Sequence, residues 1–143
     1  MPQSPAPMDG EATFPHHLVG LSGIASADIQ RILKLAGTYR RLIEQPDKKT
    51  DRLKGRTVIN LFLESSTRTR TSFELAGKRL SADVINVNAS ASAMSKGETW
   101  LDTVRTLEAL NPDALVIRHP HSGAPHLAAR ELGDQCAILN AGD

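Results

Sequence analysis

Between positions 64 and 71 the chain reads Glu64-Ser65-Ser66-Thr67-Arg68-Thr69-Arg70-Thr71, which places four hydroxyls and two guanidiniums within the six residues from Ser66 to Thr71. The run follows an apolar stretch and opens a segment of helical spacing. The first backbone N–H groups of such a helix have no partner inside it, and together they carry roughly half a positive charge. Hydroxyls and arginines at the same point add donors aimed at one place, for which a phosphate is the natural guest. Arg68 offers a forked geometry that matches phosphate oxygens and that a lysine cannot supply. Capping the helix requires only one hydroxyl, so the density of donors exceeds a structural need. Neither GxGxxG nor GxxxxGK[ST] occurs in the chain. Without those nucleotide signatures, a compact phosphate ester or anhydride is the better guest.

The elements that must position this turn are legible in the hydrophobic spacing. From Ser26, placed to cap, the residues Ile29, Ile32, Leu33, Ala36, Tyr39 and Ile43 recur at helical intervals until Pro46, and 46–56 is a polar loop. Strand-forming apolar runs then alternate with helical segments. Strands are expected over 57–63, 83–87, 114–118 and 137–140, and helices over 67–80, 98–110 and 125–132. The second helix would turn Phe73, Ala76, Gly77 and Leu80 inward, and the third Leu101, Val104, Leu107 and Leu110. Strands separated by helices imply parallel pairing with right-handed crossovers, and nearly continuous apolar strands suit a sheet covered on both faces. The fold class is α/β, a doubly wound, four-stranded parallel sheet with flanking helices. Ligands of such sheets collect beyond the carboxyl ends of the strands. That directs attention to 64–70, to the small-residue loop 88–96, to 118–123 and to whatever follows Asn140.

Composition narrows the remaining choices. With 143 residues, 40% hydrophobic and 23% charged, the chain is the size of one soluble domain. Aromatics make up only 3%, so Leu, Ile, Val and Ala must build the core. A formal net charge of +1 gives no global attraction to nucleic acid or anionic membrane, and the basic strip Arg68, Arg70, Lys78, Arg79 lacks interleaved aromatics. No nucleic-acid or membrane partner is expected. Residues 1–15, with prolines at 2, 5, 7 and 15, read as a mobile tail; they hold no Lys or Arg and no apolar core, unlike a signal peptide. No run approaches the roughly 18 apolar residues of a membrane span, and a cytoplasmic location is expected. Cys136 is the single cysteine, which rules out an intrachain disulfide and reads as a small core residue. His119, His121 and His126 have no cysteine or carboxylate set beside them, so no metal site is expected. His119 belongs to the loop carrying Arg118, His126 to a helix surface, and His16 and His17 to the exposed end of the tail. Trp100 is expected to serve core or intersubunit packing.

The segment Ser66-Thr67-Arg68-Thr69-Arg70, continuing to Ser72-Phe73-Glu74, resembles the STRTRxSFE signature of the transcarbamoylases. Lys96-Gly97-Glu98-Thr99 with Asp102-Thr103, and Leu139-Asn140-Ala141-Gly142-Asp143, resemble the aspartate carbamoyltransferase branch, and Arg118-His119-Pro120 also matches the family. The resemblance covers about residues 17–143, the first half of the family's usual chain. It implies that residues 16–143 form a carbamoyl phosphate-binding domain cut short at its end, with a second, aspartate-binding domain absent. By position, it implies that Ser66, Thr67, Arg68 and Thr69 hold the phosphate of carbamoyl phosphate, and that Thr69 and Arg118 polarise the carbamoyl oxygen. Ser92 and Lys96 would reach a neighbouring subunit's site, and Glu64 would tie the two domains together. The reaction would be carbamoyl transfer to L-aspartate in pyrimidine biosynthesis, without cofactor or metal. A homotrimer with shared active sites is implied, to which regulatory or dihydroorotase-like subunits can add. Two alternatives stand beside this: a non-catalytic phosphate-binding or assembly module, and an ornithine carbamoyltransferase.

Overall fold

The protein is described from a computed structural model over residues 14–88 and 97–143. Residues 1–13 of the expected tail, and the loop with Ser92 and Lys96, lie outside the described residues.

The run TVINLF forms the central strand β1 (Thr57–Phe62), whose last four residues are all buried. It pairs in parallel with β2 (Asp83–Asn88) on one side and with β3 (Ala114–Arg118) on the other, and β4 (Ala137–Asn140) extends the sheet beyond β3. The order is β2-β1-β3-β4. Helix α1 (Ser26–Ile43) precedes the sheet; α2 (Thr67–Arg79) links β1 to β2, α3 (Trp100–Glu108) links β2 to β3, and α4 (Ala124–Leu132) links β3 to β4. α2 packs on β1 and β2, whereas α3 and α4 pack on each other. The chain leaves β1 toward one edge and returns to β3 on its other side. The carboxyl ends of β1 and β3 are therefore adjacent while their following segments diverge, which opens a crevice.

Strand alternation divides the side chains between two layers. Ile59, Leu61, Leu115, Ile117 and Ile138 meet Val104, Leu107, Ala128 and Leu132 in one cluster. Burying each Leu or Ile contributes about 1.5–3 kcal/mol, so this layer is the principal hydrophobic core. On the other face Asn60, fully buried, donates from Nδ2 to Oδ1 of Asn86, its register partner on β2, at 2.9 Å. Cys136 lies in the main core, and burial pushes its thiol up to about 11.

Several expectations need correction. β2 is an edge strand with Asp83, Ile85, Asn86 and Asn88 exposed, so the sheet is not covered on both faces there. Leu110 is 64% exposed because α3 ends at Glu108 and the chain turns away through Asn111 at φ +55°. Ser26 is the first helical residue of α1 and Ala25 holds the cap position, with no side-chain cap bond. α1 buries no residue fully, and Leu33 stays exposed beside an apolar hollow of about 510 Å³ formed with Leu18, Leu21 and Ile29. Strand and helix ends otherwise fall within about two residues of expectation, the usual ambiguity of frayed termini.

His17 is half-buried rather than fully exposed. Leu18 bridges Leu139 in parallel: its N–H donates to Ile138 O at 2.8 Å, and its O accepts from Asn140 N–H at 2.9 Å. His17 Nδ1 accepts the Ile138 N–H at 3.1 Å. The segment before α1 thus straps the free edge of β4. Burial, then the neighbouring His16, lower the His17 pKa, against opposing effects of Asp134 and the Gly133 carbonyl.

Two outcomes follow. A Cβ on Gly77 of α2 would lie 2.6 Å from Val84 Cγ2 on β2. Gly77→Ala should therefore lose about 1–3 kcal/mol by overpacking, despite the helix gain from alanine, and Val84→Ala in the same chain should recover part of it in urea denaturation. The second outcome concerns pH. Because the folded state holds His17 below its ordinary value of 6.5, the unfolded chain takes the proton first. The stabilisation by His17 is complete above that value and lost as pH falls through the lowered one. The stability gap between wild type and His17→Phe should be widest at neutral pH and close on acidification; a constant gap would refute it.

Candidate anion site at the turn from β1 to α2

Beyond β1 the chain passes through Leu63, whose N–H is tied to Arg118 O at 2.9 Å, and enters α2 at Thr67. Ser66 occupies the cap position at φ −150° and ψ 85°, yet its side chain makes no capping bond. Its Oγ instead pairs with Thr69 Oγ1 at 2.9 Å. The opening N–H groups of α2 therefore have no side-chain cap from within the turn, the condition under which a helix start accepts an anion.

The turn walls a hollow of about 300 Å³, bounded by Glu64, Ser65, Ser66, Thr67, Arg70 and Asn88 together with Phe62 and Leu63. The two arginines divide. Arg70 is half-buried, faces the hollow and donates from Nη1 to Asn88 Oδ1 at 2.9 Å, joining α2 to the end of β2. Arg68 is exposed and does not line the hollow. The sequence motif could not separate them, because residues two apart on a helix point about 200° from one another and only the neighbouring strand decides which one is inside. A signal was present in Asn88, a polar residue at a strand end with the reach to accept from an arginine one helix away.

Arg118, the last residue of β3, stands at the other lip of the crevice. Its Nε is 3.4 Å from Glu64 Oε2, and its Nη1 donates to Ala141 O at 3.0 Å. The segment after β4 closes around it: His119 N–H donates to Gly142 O at 3.0 Å, and Gly142 sits at φ +130° so close that a Cβ there would collide with the Arg118 guanidinium. Only glycine fits both the conformation and the space. Asn140 Oδ1 accepts from Gly142 N–H, and Asn140 Nδ2 donates both to Asp143 Oδ1 and to Val19 O. Asp143 Oδ2 accepts the Gly123 N–H, and the bond from Asn140, then that from Gly123, hold its carboxyl below the usual range. Through Val19 the N-terminal strap reaches this cradle, a connection that local patterning could not reveal.

Of the residues expected at the site, the structure brings together Glu64, Ser66, Thr67, Thr69 and Arg118, and leaves Arg68 exposed and outside the lining of the hollow. Ser92 and Lys96 lie outside the described residues. His119, expected as a loop residue, is 3% exposed and packed against Trp100. Elsewhere, His16, His17 and Asp134 come within metal-ligating distance of one another. With Nδ1 of His17 accepting an N–H, however, the neutral ring carries its proton on Nε2 and has no lone pair to offer while the strap is docked. That donor set does not fit a metal centre.

Residues 16–143 match the family model described as aspartate/ornithine carbamoyltransferase, carbamoyl-P binding domain. The aspartate carbamoyltransferase catalytic subunit of Roseobacter denitrificans is 54% identical over 132 residues, covering 92% of this chain and 41% of the relative. That of Magnetococcus marinus is 57% identical over 127 residues, covering 89% and 38%. Among solved structures, aspartate transcarbamoylase from Trypanosoma cruzi in complex with carbamoyl phosphate and aspartate superposes with TM-score 0.77 at 38% identity, over 89% of this chain and 38% of that one. The catalytic subunit of the M. jannaschii enzyme superposes with TM-score 0.77 at 36% identity, over 90% and 41%. The chain spans about two-fifths of the length of these relatives. With this fold, this turn and these matches, the chain belongs to the aspartate/ornithine carbamoyltransferase family, as its carbamoyl phosphate-binding domain.

Proposed function

We propose that this domain serves a protein that transfers the carbamoyl group of carbamoyl phosphate to the amine of L-aspartate, giving N-carbamoyl-L-aspartate and phosphate. The observation that carries the reading is the pairing of an uncapped helix start with Arg118 across the β1–β3 crevice, Glu64 lying between them at 3.4 Å from the guanidinium. The aspartate name of the relatives at 54% and 57% identity favours aspartate over ornithine as the acceptor.

The chemistry asks for two kinds of stabilisation. Attack of the neutral amine on the carbamoyl carbon moves an electron pair onto the carbonyl oxygen. Arg118 and the Thr69 hydroxyl are the donors that meet the developing charge, the role in which fixed dipoles contribute most. When the intermediate collapses, the C–O bond to phosphate breaks, the electron pair leaves with the phosphate, and the amine nitrogen gives up its extra proton to that departing phosphate. Ser66, Thr67, the first amides of α2 and Arg68 are the donors for it. Arg68, exposed and outside the lining of the hollow, takes part by bringing its guanidinium over the turn. Holding both substrates in line accounts for much of the remaining acceleration, so no covalent enzyme intermediate is required. In the same reading Ser92 and Lys96 complete a neighbouring subunit's site in a cytoplasmic homotrimer of pyrimidine biosynthesis, and Glu64 tethers the aspartate-binding domain on closure.

Calorimetric titration of the 143-residue chain with carbamoyl phosphate should show binding heat that disappears in Arg68→Ala, while the chain alone should form no carbamoyl aspartate. An isotherm unaffected by the substitution would refute the phosphate site. Glu64 competes with any anion for Arg118, so Glu64→Gln should tighten inorganic phosphate binding by up to about fivefold, the range of a partly exposed ion pair; weaker binding would show that Glu64 organises the site rather than blocks it.

A further inference from the structure

We propose that Trp100 and His119 act together as positioning residues for Arg118, an inference that rests on the reading of Arg118 as the donor to the carbamoyl oxygen. Arg118 is the last residue of β3, and His119 is the first residue beyond it. Arg118 turns toward Glu64 and Ala141, and His119 turns the other way, into the seam between the starts of α3 and α4, where it is 3% exposed. There its ring meets the Trp100 indole edge-on, with centroids 4.7 Å apart and planes at 64°. Trp100 is fixed in turn: it is the first residue of α3, behind the Thr99–Asp102 capping box, and its Nε1 donates to Ala124 O at the start of α4. The indole thus joins both helix starts and presses on the residue that follows Arg118.

The imidazole is unusual for a packing residue. Its Nδ1 accepts the His121 N–H at 2.9 Å, which puts the proton of the neutral ring on Nε2, and Nε2 is buried without a hydrogen-bond partner. A buried polar atom left unpaired is disfavoured, and an apolar side chain would fill the seam without that penalty. Histidine is suited to the position because it does two things that an apolar residue cannot do together. It anchors the turn 119–121 through Nδ1, and it presents a flat ring to the indole. With the His119 N–H on Gly142 O and the Arg118 O on Leu63 N–H, both polar groups of the one peptide plane between Arg118 and His119 are held, and the Ala141 N–H on Ile117 O holds the plane before it. The direction in which the Arg118 side chain leaves β3 is then set from behind. The charged and titratable groups facing His119 are His121, 5.3 Å away between ring centroids, and Asp143. Burial, then His121, lower its pKa and favour the neutral ring that this arrangement requires.

Exchange of the Arg118 side-chain Nε–H, followed by NMR in the 143-residue chain, tests the proposal without any ligand. In Trp100→Leu and in His119→Leu this proton should exchange about tenfold faster, the scale of a lost local constraint, and by more than the amides of Ile59 and Leu61 in the core. Trp100→Phe, which keeps a ring against the imidazole, should remain within about threefold of wild type. Combining the two leucine substitutions should add little to either alone, as expected for residues that act as one unit. The imidazole should show the Nε2–H tautomer, with its ring protons shifted by the indole in wild type and not in Trp100→Leu. If Arg118 and the core amides change in equal measure, or if phenylalanine rescues nothing, the pair is ordinary packing and the proposal fails. Carbamoyl phosphate titration of Arg118→Ala separates the two claims: unchanged affinity would remove Arg118 from the site and leave the exchange result standing.

Discussion

The domain depends on a helix that begins without a cap of its own. At α3 the chain shows how it caps a helix when stability is all that is wanted: Thr99 and Asp102 bond reciprocally, which satisfies the N–H groups of those two residues and depresses the Asp102 carboxyl. At α2 the same residue types are present in excess, yet Ser66 turns its hydroxyl to Thr69 and leaves the helix start uncapped by its side chain. Such ends are disfavoured when buried and empty. This one lies at the crevice between diverging strands, where solvent or an anion can reach it. The rest of the fold serves to keep that uncapped start in place and in line with one guanidinium.

Two connections do this from different directions. Arg70 reaches across to Asn88 and couples the first turn of α2 to the end of β2. On the other side the segment after β4, tied to the strap at Leu18, meets the Arg118 guanidinium with one backbone carbonyl, Ala141 O, and Glu64 is the carboxylate beside it. An arginine held by a carbonyl and one carboxylate keeps part of its charge available, whereas a second carboxylate would cancel it. The cradle is therefore built from the groups that fix geometry at the least cost to the field.

Much of this was legible in the sequence, and the boundary has a physical logic. The alternation of strand formers with helical spacing identified every strand of the sheet, because period and residue type are local. The STRTR turn was legible because hydroxyls and guanidiniums at that density have few other uses. Pairing order was not: nothing in the DVINV run states that it is an edge, and its exposed Ile85 and Asn86 follow only from β2 having a single neighbour. The division of labour between Arg68 and Arg70, and the half-buried His17 bound to Ile138 more than a hundred positions away, are likewise products of tertiary placement. His119 does lie in the loop after β3, but its burial against Trp100 is not legible, because a histidine in a short polar stretch looks the same whether it faces water or a tryptophan.

The burial of Cys136 has a practical consequence. It is the single cysteine of the chain, 1% exposed in the main core, with its thiol raised to about 11. At pH 8 only about one such thiol in a thousand would be ionised even if reagent could reach it. Alkylation therefore waits for the entrance to β4 to come apart, and each modified molecule records one such event. The domain carries its own clock for the opening of its innermost layer, readable by mass without any label introduced beforehand.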